Sequence, residues 1–315
     1  MNRRVAWIEL FKLVSGESIS IPLVSIGEGR PRTLVVGPVH GNESSTIYIM
    51  WRLMEYLESN ITRGRVDFLI GPNYTGLLFG SRNEPLSNIN INRVYPGEPS
   101  LGLGRAVAKK VFEVCMKGYD FVVDLHAAGN SIPHIITDEL GDPDTSDIES
   151  EVYDLAVKTG ITVVVDSQST PDIKVENISN SLPPLLIKNG VKSFTYEVPG
   201  PEYLDDELAS LSTEGLINLF IINGHIDEPM RKIDPFFKGG KLYRRLLWSK
   251  HPGFIEVYKY PGDLFKEYED IAVVKDFIGN VNERIRYKGV GIVISIIKMG
   301  VVRPFGYVAS VGVRE

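Results

Sequence analysis

His40-Gly41-Asn42-Glu43 sets an imidazole and a carboxylate three residues apart, just where the apolar run Thr33-Leu34-Val35-Val36 stops. That spacing can grip one zinc ion, and a catalytic zinc keeps three protein ligands with a position open for water or substrate. Asp124-Leu125-His126 offers a third ligand, again at the end of a buried-looking strand, Tyr119-Asp120-Phe121-Val122-Val123. Open α/β sheets bind ligands beyond the carboxyl ends of their strands, so two strand ends can meet at a metal. A lone His-x-x-Glu pair is more often a hydrogen-bonded structural histidine than a metal site. The rest of the chain adds to the pair. Asn73 follows the strand Val66-Asp67-Phe68-Leu69-Ile70 and is trailed by Arg82, then by Asn90-Ile91-Asn92-Arg93-Val94-Tyr95-Pro96-Gly97, and much later by Thr195-Tyr196-Glu197-Val198-Pro199-Gly200.

In that order, and across most of the chain, these motifs resemble the succinylglutamate desuccinylase/aspartoacylase family, a branch of the zinc carboxypeptidase superfamily. Its pattern is His-Gly-(Asn/Asp)-Glu, an Asn-Pro step with a following Arg, Asp-x-Asn-Arg-x-(Phe/Tyr)-Pro-Gly, Asp-Leu-His, and a Glu-x-Gly. The resemblance implies one Zn2+ per chain, held by His40, Glu43 and His126, able to acidify water and polarise an amide carbonyl. It makes Glu197 the general base that returns its proton to the departing amine. Asn92 and Arg93 would hold a substrate carboxylate, Arg82 would stabilise the oxyanion, and Asn73 would assist in binding. Asp124 shares a strand face with His126; it either orients the imidazole or caps nearby backbone amides. Glu197 keeps the alternative of a solvated strand-end glutamate, and each arginine that of pairing with a surface acid. Three departures bear on the substrate: Asn90 stands where the family has Asp, Tyr74 where it has Pro, and Pro199 intrudes before Gly200.

The elements that must position these residues alternate along the first two thirds of the chain. Ser18 to Ile26 reads as a half-buried edge strand, with a turn from Gly27 to Arg32. Ser44 to Glu58 carries Ile47, Met50, Trp51, Met54 and Leu57 at helical spacing, with Ser44 or Ser45 available as a cap. A second helix spans about Leu103 to Met116, with Val107, Val111, Val114 and Cys115 on one side. Strands follow at Ile161 to Val165 and Val191 to Val198, then a helix from about Asp205 to Ile222. Such alternation predicts an α/β fold, a mixed sheet flanked by helices. From Phe236 the pattern turns to short strands, clearest at Phe254 to Tyr258, Ile271 to Val274 and Gly291 to Ile297. Taken with the family resemblance, this pattern implies a zinc-carboxypeptidase-like catalytic domain over residues 1–238 and a smaller C-terminal all-β domain over residues 239–315.

At 315 residues the chain can bury a large core, and 43% hydrophobic with 23% charged residues is ordinary for a globular enzyme. A formal net charge of −6, with no basic run interleaved with aromatics, argues against nucleic acid as a partner. The N-terminal run Val5-Ala6-Trp7-Ile8 is cut by Glu9 and Lys12 before it reaches the length of a secretion signal. No segment approaches the ~20 apolar residues of a membrane span. Cys115, the single cysteine, reads as a core residue, and His134, His225 and His251 lack a partner at ligand spacing. A cytoplasmic location is the default expectation; the oligomeric state stays open. The reading is a zinc-dependent amidohydrolase cleaving an amide next to a free carboxylate, with an N-acyl amino acid favoured over a short peptide as substrate. The alternatives are a C-terminal peptide carboxypeptidase, a zinc esterase or deacetylase, and a non-catalytic binding module on the same fold.

Overall fold

The computed structural model describes residues 3–171, 173, 176–200 and 205–314; Met1 and Asn2, at the start of the N-terminal stretch, fall outside them. The first strands are β1 (Arg4–Lys12), β2 (Ser18–Glu28), β3 (Arg32–Gly37), β4 (Gly64–Ile70), β5 (Phe121–Ala128), β6 (Asn130–Ser131), β7 (His134–Glu139), β8 (Thr162–Ser167) and β9 (Lys192–Pro199). The C-terminal strands are β10 (Tyr243–Ser249), β11 (Gly253–Val257), β12 (Leu264–Phe265), β13 (Ala272–Lys275), β14 (Val281–Ile285), β15 (Gly291–Ile296), β16 (Val301–Val302) and β17 (Gly306–Val313). One mixed sheet runs in the order β1-β2-β4-β3-β5-β9-β7-β8-β10-β17-β15-β12, with β6 attached to β15, and a four-stranded antiparallel sheet has the order β14-β13-β11-β16. Strands β4, β3, β5 and β9 are parallel neighbours. The central pair β3 and β5 carry the apolar runs Leu34-Val35-Val36 and Phe121-Val122-Val123, because both of their faces are covered.

Helices cover those faces: α1 (Ser45–Asn60), α2 (Tyr74–Phe79), α3 (Leu103–Cys115), α4 (Ser146–Lys158), α5 (Leu182–Lys188) and α6 (Asp206–Ile222). Ile49, Leu53 and Leu57 of α1 and Leu216 and Phe220 of α6 pack with Val35, Phe68, Val123 and Phe194 of the sheet. On the opposite side Val107, Val111 and Val114 of α3 and Leu186 of α5 meet Leu34, Val36 and Val122. Cys115 is buried in this second layer, as expected. Beyond Ile222 the described residues contain no helix; Ile255, Val274 and Ile285 of the small sheet bury against Val293, Val308 and Val311 of the large one.

Three local expectations need correction. Strand β2 is not at the edge, because β1 pairs with it from Arg4↔Ser25 to Lys12↔Ser18 and takes the rim with Trp7 67% exposed. The buried stripe of α1 is Ile49, Met50, Leu53, Met54 and Leu57, while Trp51 faces outward against Tyr48, one turn back. Neither serine caps α1 through its hydroxyl. Ser44 already has helical φ/ψ, from which its side chain makes no cap bond, and Thr46 bonds back to the Glu43 carbonyl instead.

His225 is a core residue: Nε2 lies 2.8 Å from Thr33 Oγ1, and Nδ1 lies 3.3 Å from the Arg63 carbonyl. Burial pulls its imidazole down to about 4 from 6.5. Protonation therefore favours the unfolded chain below 6.5. The stability His225 contributes is full above pH 6.5 and is lost as pH falls towards 4, by about 3 kcal/mol for the full shift. Urea midpoints between pH 7.5 and 4 are expected to fall, and His225→Gln should flatten that slope.

Candidate active site

His40 and Glu43 lie in the short connection from β3 to α1, and a Cβ on Gly41 would come within 1.9 Å of the Gly76 backbone carbon. Only glycine lets this loop pack on α2, which fixes the entry of both ligands. His126 is on β5 and pairs in register with Glu197 on β9, bringing those side chains to the same level of one face. Ligand atoms of His40, Glu43 and His126 converge to within 4.8 Å of one another, all three residues being buried. His40 Nδ1 is 2.7 Å from Glu43 Oε1, and His126 Nδ1 is 2.9 Å from Oε2. The second ring nitrogens face oxygen acceptors: His40 Nε2 lies 3.1 Å from Asn90 Oδ1, and His126 Nε2 lies 3.1 Å from Asp124 Oδ2. With a proton on each Nε2, that of His126 directed to Asp124 and not to the Asn92 amide nitrogen that also lies 3.1 Å away, two Nδ1 lone pairs aim at a carboxylate. Such an arrangement is repulsive unless a proton or a metal cation sits among them, and two imidazoles with one carboxylate are a donor set that fits a divalent metal.

Electrostatics follow from that crowding. Burial alone would raise Glu43, but His40 and His126 outweigh it and hold its carboxyl well below the ordinary range. Burial lowers His40 to about 4. Burial works the same way on His126, yet Asp124 and Glu43 prevail and raise it well above its ordinary value. Asp124 is completely buried and near enough to pair with His126, although the contact lacks hydrogen-bond alignment and leaves both carboxylate oxygens without a hydrogen-bond donor. Burial pushes Glu197 up to about 7 against the opposing pull of His126, with Glu43 adding to the rise.

The other sequence-derived residues divide. Arg82 donates from Nη1 to Glu43 Oε1 at 3.1 Å and lines the cavity beside the cluster. Asn92 is buried, with Nδ2 3.1 Å from His126 Nε2 and Oδ1 accepting from the Leu182 amide. Arg93 donates to the Asn92 carbonyl; burial, with Arg82 nearby, lowers its guanidinium to about 10. Asn73 does not reach the cavity. Its side chain caps α2 by accepting from the Gly76 amide and donates to the Arg82 carbonyl, so it holds the arginine's segment. Among the noted departures, Asn90 accepts from the Asn92 amide as well as facing His40, and brings no charge to either.

A cavity of about 620 Å³ opens on Glu43 and Glu197, walled by Arg82, Arg93, Arg244, Trp248 and Tyr307 among others. The last three come from the C-terminal strands and have no motif in the sequence. Arg244 sits inside the basic stretch Lys241 to Arg245, where only the pairing of Tyr243 with Val165 reveals that it joins the main sheet beside Asp166. Asp138 and Asp166 were also missed. The available signal was an acid closing an apolar run, Ile135-Ile136-Thr137-Asp138 and Val163-Val164-Val165-Asp166.

A mixed sheet with helices on both faces and a His-Glu-His cluster at its strand ends defines a carboxypeptidase-like α/β protein. Residues 29–217 match the family described as Succinylglutamate desuccinylase/Aspartoacylase catalytic domain, and the chain belongs to that family. It is 24% identical over 270 residues to an N-alpha-acetyl-L-2,4-diaminobutyric acid deacetylase from Halomonas elongata, a match spanning 82% of this chain and 74% of that protein. The product-bound structure of the ectoine utilization protein EutE (DoeB) from Ruegeria pomeroyi superposes with a TM-score of 0.82 at 21% identity, covering 99% of this chain and 95% of the other. A metallo-carboxypeptidase from Burkholderia cenocepacia is more distant, with a TM-score of 0.50 at 13% identity over 70% of this chain and 64% of its own. No helix among the described residues is long and apolar enough to cross a membrane.

Proposed function

We propose that this chain is a zinc-dependent hydrolase that removes the acyl group from an N-acyl amino acid. The observation that carries the proposal is the convergence of His40 Nδ1, Glu43 and His126 Nδ1 beside a cavity that also holds Glu197 and Arg93. Family membership and the named activity of the Halomonas elongata relative support it. In this reading residues 1–238 carry the catalytic machinery and residues 239–315 supply the far wall of the cavity. Zinc bound by His40, Glu43 and His126 would supply a Lewis acid for the amide carbonyl and for water.

The chain's own groups do the rest. Glu197 takes a proton from the attacking water and returns it to the departing amine, a task suited to a carboxyl raised towards neutrality. Arg82 donates to the oxygen that gains charge as the carbonyl becomes tetrahedral. Arg93, steadied by Asn92, receives the substrate carboxylate. Asp124 and Asn90 hold the outer nitrogens of the two imidazoles, while Asn73 holds the Arg82 segment. Metal analysis of purified protein, followed by a screen of N-acyl amino acids and short peptides, tests the proposal; absence of bound metal together with absence of turnover would overturn it.

The role of Arg93 yields a separate expectation. A guanidinium can make paired, charge-assisted bonds to a carboxylate that a lysine cannot reproduce. Arg93→Lys should raise KM by about 10-fold or more with a smaller fall in kcat. Substrates with an amidated carboxyl should react poorly with the unaltered enzyme. Equal steady-state rates on free and amidated substrates would remove carboxylate recognition from the site.

A further inference from the structure

His134, which has no partner at ligand spacing in the sequence, opens β7 directly opposite Glu197 of β9. His126 of β5 is the register partner of Glu197 on the other side, in the strand order β5-β9-β7. Register partners present their side chains on the same face, so His126, Glu197 and His134 form one row across three adjacent strands. Neighbouring strands lie about 4.8 Å apart, which sets the two histidines roughly 10 Å from each other with the carboxyl between them. His134 lines the same cavity as Glu197 and Arg93 and is only 3% exposed. It is not one of the residues whose ligand atoms converge at His40, Glu43 and His126.

The ring is held at one nitrogen. Nδ1 lies 2.9 Å from the Ile132 carbonyl oxygen, which can only accept, so Nδ1 carries the ring proton and donates it. This is the one hydrogen bond of the ring among the described residues, and it leaves Nε2 with a lone pair and no donor. Burial, with the charge of Arg244 adding to it, pulls the imidazole down to about 4 against the Ile132 carbonyl, so the lone pair stays open at neutral pH. Arg82 and Arg244 on the cavity wall are already committed to Glu43 and Asp166. A buried acceptor on a cavity wall calls for a donor from whatever fills the cavity.

We infer that His134 Nε2 accepts the N–H of the scissile amide, which makes His134 a catalytic residue of the hydrolysis proposed above. The reaction rests on that reading; the contact rests on the row of three side chains and on the open lone pair. When the water oxygen bonds to the carbonyl carbon and its proton passes to Glu197, the nitrogen becomes pyramidal, keeps the hydrogen bonded to His134 and gains a lone pair. With the N–H held towards β7, that lone pair faces Glu197, which stands between the two histidines. Glu197 returns the proton to it, the C–N bond breaks with its electron pair going to nitrogen, and a neutral amine leaves. An ester has no N–H to hold, so the contact favours amides.

The test pairs N-acetyl amino acids with esters in which oxygen replaces the N–H. The pairs are N-acetyl-L-alanine with O-acetyl-L-lactate, N-acetyl-L-aspartate with O-acetyl-L-malate, and N-acetyl-L-phenylalanine with O-acetyl-L-phenyllactate. Calorimetry on the zinc-loaded, full-length Glu197→Gln protein should show the amide of the best-bound pair binding about 10-fold or more tightly than its ester. His134→Leu added to that variant should bring the two affinities together. With Glu197 intact, His134→Leu should lower kcat/KM about 10-fold or more on the amide and less than about 3-fold on the ester, a split that a merely structural role would not give. If no amide binds better than its ester while His134 is in place, the inference is overturned whatever the fold of any His134 variant. An equal loss on amide and ester in His134→Leu overturns it as well. Preferential amide binding with no hydrolysis of any pair by the unaltered protein would instead sink the deacylase reading and leave His134 standing as an amide acceptor.

Discussion

Replacing His126 with Ala is expected to remove metal and hydrolytic activity together. His126 Nδ1 and His40 Nδ1 stand on either side of the Glu43 carboxylate, and losing one leaves two ligands where a catalytic zinc takes three. The two histidines should differ in a second respect. Removing His126 also strands Asp124, a completely buried carboxylate facing that imidazole, whereas removing His40 strands the neutral amide of Asn90 and leaves Glu43 with His126 and Arg82. An unmatched buried charge costs about 3–5 kcal/mol, so His126→Ala should unfold well before His40→Ala in urea. Metal content by atomic emission should fall from about one per chain to a small fraction in both variants, with turnover at background. Full metal occupancy in both would dismiss the cluster as a metal centre.

The part of the site that was legible in the sequence is local. His40 and Glu43 are three residues apart in one loop, and His126 ends an apolar run, so chain spacing alone suggests their meeting. Glu197 could be suspected from its motif, but its place beside His126 depends on β9 pairing with β5 in a particular register. The C-terminal wall was not legible at all. Arg244, Trp248 and Tyr307 reach the cavity because β10 joins β8 in parallel at Tyr243↔Val165 and then pairs antiparallel with β17 from Tyr243↔Val313 to Ser249↔Gly306. Such non-local pairings leave no periodic trace in the strands that make them. Helix positions show the same division: the spacing located α1, yet Trp51 is outside, because the side of a helix that faces the sheet is set by what it packs on. Asn73 had the right neighbourhood and a different task, since an Asn at a helix start satisfies the backbone before it can serve a ligand.

Glu197→Gln should retain metal and fold while losing on the order of 10²-fold or more in kcat, with KM little changed. The carboxyl lines the cavity, so the substitution keeps its shape at a position where solvent and substrate meet. Burial holds its proton up to about 7. A divalent cation at His40, Glu43 and His126 favours the ionised carboxylate, so the ascending limb of kcat/KM against pH is expected at or below about 7. The base must be unprotonated to act, which makes activity rise with pH through that limb. Glutamine does not titrate, and the residual rate of the variant should lack the limb altogether. These readouts separate proton transfer from a purely structural role, because a carboxyl that only supported β9 would change the unfolding midpoint and leave the shape of the pH profile intact. A variant with normal kcat and an unaltered profile would take Glu197 out of the mechanism and pass the base to another group on the cavity wall.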